Sequence, residues 1–389
     1  MEEQQIILKS IRNPIGCAPL RELVKDKKKI LIVTDDNTRS TPLKMILPPL
    51  LNELKKGGIA PDRIKILIAL GTHRPMTHQE MVCKFGKKVV SHYKIYSHSW
   101  NNKSTLTKIN SAICGRKIQV NKLAKMSDFI IGIGSILPHA TTGFSGGGKI
   151  ILPGICGKET VEDMHWKALD FAMKDILGVY KNPMRKMVDT AAKKVGLKFI
   201  VNTVSDSSDK VVGIVAGDPI KAHKKGTEIA RRAFSINISH SADIVIADAR
   251  PMDIDLRQAI KAVAASDLIV RRNGIIILNA RCPEGVSPQF PEFEKYGFYD
   301  PDGLKAKVDS GQIKGKLMAY TLIAIGRILK HKAKVILVSR GVSSETALRM
   351  GFLWAGSLQE ALREARKRIH KRAKVIFLRR ACEILPLVN

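Results

Sequence analysis

Seven short apolar runs rich in β-branched residues, separated by stretches of helical pattern, limit what this chain can fold into. They are KKILIVT (28–34), RIKILIAL (63–70), DFIIGIGSI (128–136), ADIVIADA (242–249), NGIIILNA (273–280), KVILVSR (334–340) and KVIFLRR (374–380). A strand that is apolar at successive positions must be covered on both faces, and such strands separated by helices build mostly parallel sheets. At 389 residues the chain exceeds what one hydrophobic core usually organises, so two α/β domains are expected. A helical pattern, HKKGTEIARRAF, leads into a new strand within 219–241. The expected domains are therefore 1–240 and 241–389, with the active site in the cleft between them at the carboxyl ends of the strands.

Several function classes are disfavoured. No apolar run approaches the ~18 residues of a membrane span, and the first ten residues, MEEQQIILKS, carry acids where a signal peptide carries bases. A cytoplasmic protein is expected. Cys17, Cys83, Cys114, Cys156, Cys282 and Cys382 are scattered with no C-x-x-C pair, which argues against a zinc ribbon, an iron–sulfur cluster or a disulfide framework. Sixty-six Lys and Arg against 35 Asp and Glu leave a net charge of +31. That field attracts anions without choosing among them. The basic segment 363–380 reads as an exposed helix followed by a strand, and no aromatic stacking platform for nucleic acid accompanies it.

The stretch HATTGFSGGGKIILPG (139–154) matches G-x-x-x-x-G-K from Gly143 to Lys149, the start of a nucleotide-binding P-loop. The next position, which should be a magnesium-binding Ser or Thr, is Ile150. Pro153 also disfavours the helix that should follow. Lys149 needs another role.

Three expected strands run directly into polar motifs: DDNTRSTP (35–42), GTHRPMT (71–77) and LPHATTGFSGGGK (137–149). Ligands of open α/β sheets sit outside such strand ends, so one lip would collect Asp35, Asp36, Arg39, His73, Arg74, His139 and Lys149. Gly146, Gly147 and Gly148 permit positive φ and close approach of backbone N–H groups to an anion. Thr38, Ser40 and Thr41 can donate to the same anion, and Ser40 or Thr41 can instead cap the next helix. Residues 157–173 read as a helix on which Glu162 and His165 make an E-x-x-H pair, a spacing known from carboxylate metal sites. Further on, Gln258 and Lys261 stand one helical turn apart and can form a polar clamp.

Together these segments resemble the nickel-dependent lactate racemase family. The family carries a GTHR motif, an H-x3-G-Y/F-S-G-G-x-K loop, a histidine about sixteen residues after that lysine, and a Q-x-x-K pair in the C-terminal domain. The resemblance implies a nickel-pincer nucleotide held covalently by Lys149, with His165 as the protein ligand to Ni(II). Asp36, Thr38, Arg39 and Gly146 to Gly148 would help bind that cofactor. His73 and His139 would act as the two bases that a racemase of 2-hydroxy acids needs, one for each enantiomer. Arg39, Gln258 and Lys261 would anchor the substrate carboxylate. The implied partners are a small 2-hydroxy acid and the proteins that make the cofactor.

Two positions depart from the family pattern. Phe144 stands where many members have Tyr, and Arg257 where lactate-specific members have an uncharged aromatic. If Arg257 faces the substrate, it suits a second carboxylate. The residues alone leave two rivals: a zinc hydrolase built on Asp36, Glu162, His73, His139 and His165, and a non-enzymatic polyanion or nucleic-acid binder. A conventional nicotinamide dehydrogenase is disfavoured, because no G-x-G-x-x-G follows the first strand.

Overall fold

A computed structural model of the chain describes residues 2–206, 208–369 and 372–388. The chain divides into two compact units. The first comprises Met1–Leu137, Thr142–Met164 and Tyr180–Ala233; the second comprises Pro138–Thr141, His165–Val179 and Phe234–Asn389. The chain thus visits the second unit twice before Phe234. His139 and His165 lie in these two early segments.

The first unit holds a six-stranded sheet of Ile30–Thr34 (β1), Ile64–Ile68 (β2), Lys94–Ser97 (β3), Phe129–Ser135 (β4), Leu197–Ser205 (β5) and Val211–Gly217 (β6). The spatial order is β6-β5-β4-β1-β2-β3. All pairs are parallel except β5 with β6. Ile30 and Ile32 of β1, with Ile131 and Ile133 of β4, belong to the core that also buries Ile7 and Ile11 of helix Glu2–Arg12 and Leu43 to Leu54 of helix Leu43–Lys56. Each such buried Ile or Leu contributes roughly 1.5–3 kcal/mol. The opposite face is also covered. A Cβ on Gly132 would stand 2.8 Å from Cγ2 of Ile150, so glycine in β4 lets the turn after Lys149 lie against the sheet. Strand order reverses between β1 and β4, where such sheets open a crevice beyond their carboxyl ends.

The second unit has a fully parallel sheet of Ala242–Asp248 (β7), Val270–Asn279 (β8), Ala333–Val338 (β9), Leu353–Ala355 (β10) and Val375–Leu378 (β11), ordered β10-β9-β8-β7-β11. Val245, Ile276 and Leu337 pack on one side with Leu322 and Ile323 of helix Lys316–His331. Ile244, Ile275 and Ile336 pack on the other with Ala361 and Ala365 of helix Leu358–Arg368.

All seven expected runs are strands of these two sheets. The basic segment 363–380 is a helix end followed by β11, with His370 and Lys371 outside the described residues. Among the described residues no helix is long and apolar enough to cross a membrane.

Candidate active site

In the first unit, β1 ends at Thr34 and delivers two buried carboxylates, Asp35 and Asp36. Asp36 Oδ1 accepts the Thr38 N–H at 3.1 Å and the Thr38 hydroxyl at 2.6 Å. Its Oδ2 lies 2.7 Å from His73 Nδ1. Burial opposes ionisation of Asp36, but the His73 charge and hydrogen bond, with Thr38 and Arg39, outweigh it and hold the carboxyl well below its ordinary range. An ionised carboxylate only accepts, so His73 carries a proton on Nδ1 and in its neutral form has its lone pair on Nε2.

Asp35 is treated differently. Its Oδ2 accepts the Thr41 hydroxyl at 2.5 Å, and Lys84 Nζ is 3.6 Å from Oδ1. Burial pushes its carboxyl up despite Lys84 and Thr41. Lys84 also donates to the Arg39 carbonyl, which ties down the 35–41 loop. Thr41 is therefore no helix cap. Pro42 occupies the N-cap of helix Leu43–Lys56, without a side-chain bond.

The His73 loop is fastened by a capping box. Thr77 and Glu80 cap helix His78–Phe85 reciprocally. Glu80 also receives Arg74 through two bonds of 2.9 and 2.8 Å and Asn37 at 2.8 Å, linking the loops after β1 and β2. The Arg74 bonds, followed by the Thr77 backbone bond, hold the Glu80 carboxyl down at about 2.

The glycine stretch is a 3-10 turn, Gly147–Ile150, with half-buried Lys149 inside it. No P-loop helix follows directly from it. Gly147 has φ +57°, and a Cβ there would meet the His223 ring at 2.8 Å. Its N–H is donated to Asn202 Oδ1 at 2.8 Å, so this amide is engaged by protein rather than held for an anion. Arg185 donates to the Phe144 carbonyl and, at 3.4 Å, to the Gly146 carbonyl and to Asp189. His223 Nε2 lies 2.8 Å from the Ser145 carbonyl, and burial, reinforced by Arg185, holds that imidazole neutral. Asn182 sets the Arg185 helix by accepting the Arg185 N–H at 2.8 Å, with Pro183 in the first turn. Sequence reading missed Arg185, Asn202 and His223. A lone asparagine inside FIVNTVS was the one available signal.

In the second unit, His139 Nδ1 accepts the Thr141 N–H at 3.1 Å. The Thr141 hydroxyl lies 3.1 Å from the Tyr320 hydroxyl, and the Tyr320 ring meets the His165 ring edge-on at 5.3 Å between centroids. Gln258 sits in the one-turn helix Leu256–Ala259, where Asp255 accepts the Gln258 N–H at 2.7 Å. Lys261 opens the next helix, Lys261–Asp267, and its ammonium donates to Gln258 Oε1. The two side chains expected one helical turn apart are thus in contact. Arg257 is half-buried, its guanidinium 4.8 Å above the Phe290 ring. Burial pushes its ionisation down, opposed by Asp255.

The comparisons with known proteins are consistent across the chain. The lactate racemase N-terminal domain matches residues 1–174, and the lactate racemase C-terminal domain matches 238–385. The chain belongs to the lactate racemase family. It is 34% identical to the lactate racemase of Thermoanaerobacterium thermosaccharolyticum, over 96% of this chain and 88% of that protein. It is 34% identical to the lactate racemase of Lactiplantibacillus plantarum, over 97% and 89%. The apoprotein structure from T. thermosaccharolyticum superposes with a TM-score of 0.89 over 99% of this chain and 93% of that one. A Thermotoga maritima protein, at 21% identity, 99% and 98% coverage and a TM-score of 0.79, shares the fold. As a member of the lactate racemase family, the chain is an isomerase.

Proposed function

We propose that the chain interconverts the enantiomers of a 2-hydroxy acid, lactate or a relative with a more polar side chain, using a nickel-pincer nucleotide. The observation that carries the chemistry is the 2.7 Å bond between Asp36 and His73. It puts the proton of neutral His73 on Nδ1, so that in this reading Nε2 takes the hydroxyl proton with a carboxylate behind the imidazolium that results. In this reading Asp36 and Thr38 act through His73 rather than on the cofactor. His139 serves the opposite enantiomer, and Lys261, oriented by Gln258, anchors the substrate carboxylate with Arg39.

The residues fit the cofactor in two respects. Gly71 is buried at φ +55°, yet no atom lies within 4 Å of where its Cβ would stand, which leaves room beside the His73 loop. Among the described residues no three His, Cys, Asp or Glu side chains are grouped as a metal cage. By the family resemblance, a pincer cofactor would supply the other ligands of a metal held through His165. The same observation disfavours a zinc hydrolase, which requires about three protein ligands. Lys149 would carry the nucleotide through its amine, with Arg39 and the Gly146–Gly148 turn near the phosphate. When bound, the cofactor supplies the acceptor for the Cα hydride.

The test is chiral analysis of lactate and malate-type acids with protein co-expressed with the cofactor-making enzymes. Conversion of one enantiomer into a racemic mixture is expected. A nickel-loaded chain that racemises no 2-hydroxy acid would overturn the reading.

A further inference from the structure

Thr141, within the 137–149 motif but assigned no role there, and Tyr320, outside every motif, join two histidines of the second unit, His139 and His165. The Thr141 N–H is donated to His139 Nδ1 (3.1 Å), the Thr141 hydroxyl is bonded to the Tyr320 hydroxyl (3.1 Å), and the Tyr320 ring abuts His165 at 5.3 Å and 62°. Thr141 is buried, and Tyr320 lies in the second turn of the sixteen-residue helix Lys316–His331, so the arrangement rests on a rigid element. We propose that Thr141 and Tyr320 are positioning residues, fixing the tautomer of His139 through the Thr141 turn and the orientation of His165 through the Tyr320 ring.

The physical content is specific. A ring nitrogen that accepts an N–H cannot carry a proton, so neutral His139 is protonated on Nε2. His73 is wired in the opposite sense, with its proton on Nδ1 beside Asp36. His139 in this state donates from Nε2, and it becomes an acceptor there only by giving up the Thr141 bond. Resting on the reading of His139 as the second base, the asymmetry has a kinetic consequence. The equilibrium constant between enantiomers is unity, so kcat/KM is the same in both directions. The cost of breaking the Thr141 bond therefore appears as unequal kcat and unequal KM for the two enantiomers. The Tyr320 ring acts separately, as an outer contact that holds a metal-binding imidazole in place.

Three variants separate these roles. Tyr320→Phe keeps the ring and removes the hydroxyl; Thr141→Val keeps the N–H and removes the same bond from the other side; Tyr320→Leu removes ring and hydroxyl together. The first measurement is long-range 1H–15N correlation of imidazole nitrogens in 15N-histidine-labelled apoprotein, with His139 assigned through His139→Gln. Wild type should show His139 protonated on Nε2, and Tyr320→Phe and Thr141→Val should show mixed tautomers. In loaded protein, both should narrow the gap in kcat and KM between enantiomers while retaining nickel through dialysis as wild type does. Tyr320→Leu should also lose nickel about 10-fold faster.

A proton on Nδ1 of wild-type His139, or an unchanged tautomer in both Tyr320→Phe and Thr141→Val, would overturn the positioning role of Thr141. Equal nickel retention in Tyr320→Leu and wild type would overturn that of the ring. The tautomer is read without cofactor or substrate. A loaded wild type that racemises nothing therefore counts against the proposed function, whereas a wrong His139 tautomer counts against the positioning role alone.

Discussion

Asp36 Oδ2 stands 2.7 Å from Nδ1 of His73, and that one bond sets the proton of the neutral imidazole on Nδ1. Asp36→Asn removes the charge and frees the ring to adopt the other tautomer. A fall in kcat of roughly 10²- to 10⁴-fold, with KM little changed, is expected from steady-state kinetics in both directions. A kcat within a factor of about two of wild type would mean that His73 works without its carboxylate.

Asp35, the neighbouring residue, should respond in the opposite sense in a stability assay. Its carboxyl is raised by burial. A group raised on folding contributes stability that is complete below its unfolded value, about 3.9 for Asp, and lost as pH rises through the folded value. At pH 7 its buried charge therefore works against the fold. Asp35→Asn should raise the thermal midpoint at pH 7, and the gain should vanish as the pH approaches about 4. A lower midpoint at pH 7 would show that the pairing with Lys84 outweighs burial.

The sheets were legible because they are buried on both sides. Runs such as ILIVT and FIIGIGS are apolar at almost every position, a pattern that a half-exposed strand cannot carry. Strands with mixed patterns were not found. Lys94–Ser97 is an exposed edge strand, and Leu197–Ser205 has Asn202 and Thr203 buried within it. The polar loops of the candidate site were legible because they follow strands, and residue type singled out His73, His139 and Lys149 as candidates. What supports them was not legible. Arg185, His223 and Asn202 act on backbone carbonyl and N–H groups of the glycine loop from 39 to 78 residues away, and Tyr320 lies 179 residues from Thr141. Contacts of that separation leave no local pattern. Nor does a local pattern mark Pro138–Thr141 and His165–Val179 as packing with the unit whose main part begins at Phe234.

The glycine loop depends on a buried arginine. Arg185 is 3% exposed and serves the Phe144 and Gly146 carbonyls as well as Asp189. Arg185→Met leaves those carbonyls and the half-buried Asp189 carboxylate uncompensated. A loss of about 3–5 kcal/mol is expected from the denaturant midpoint. A loss below about 1 kcal/mol would show that Asp189 takes up a proton or another partner.

Substrate preference should turn on Arg257, whose guanidinium is stacked 4.8 Å over Phe290. If it receives a second carboxylate, Arg257→Tyr should raise KM for a malate-type acid about 10- to 100-fold, the loss of one charge-assisted contact, and leave lactate unaffected or improved. Parallel changes for both substrates would remove Arg257 from the specificity account.

The most direct test of the cofactor assignment is intact mass with metal analysis on wild type and Lys149→Ala, each co-expressed with the cofactor-making proteins. Wild type should gain the mass of one nucleotide cofactor and carry about one nickel per chain, with the adduct lost in Lys149→Ala. A wild-type chain of unmodified mass and without nickel, from a host that loads a known family member, would contradict it.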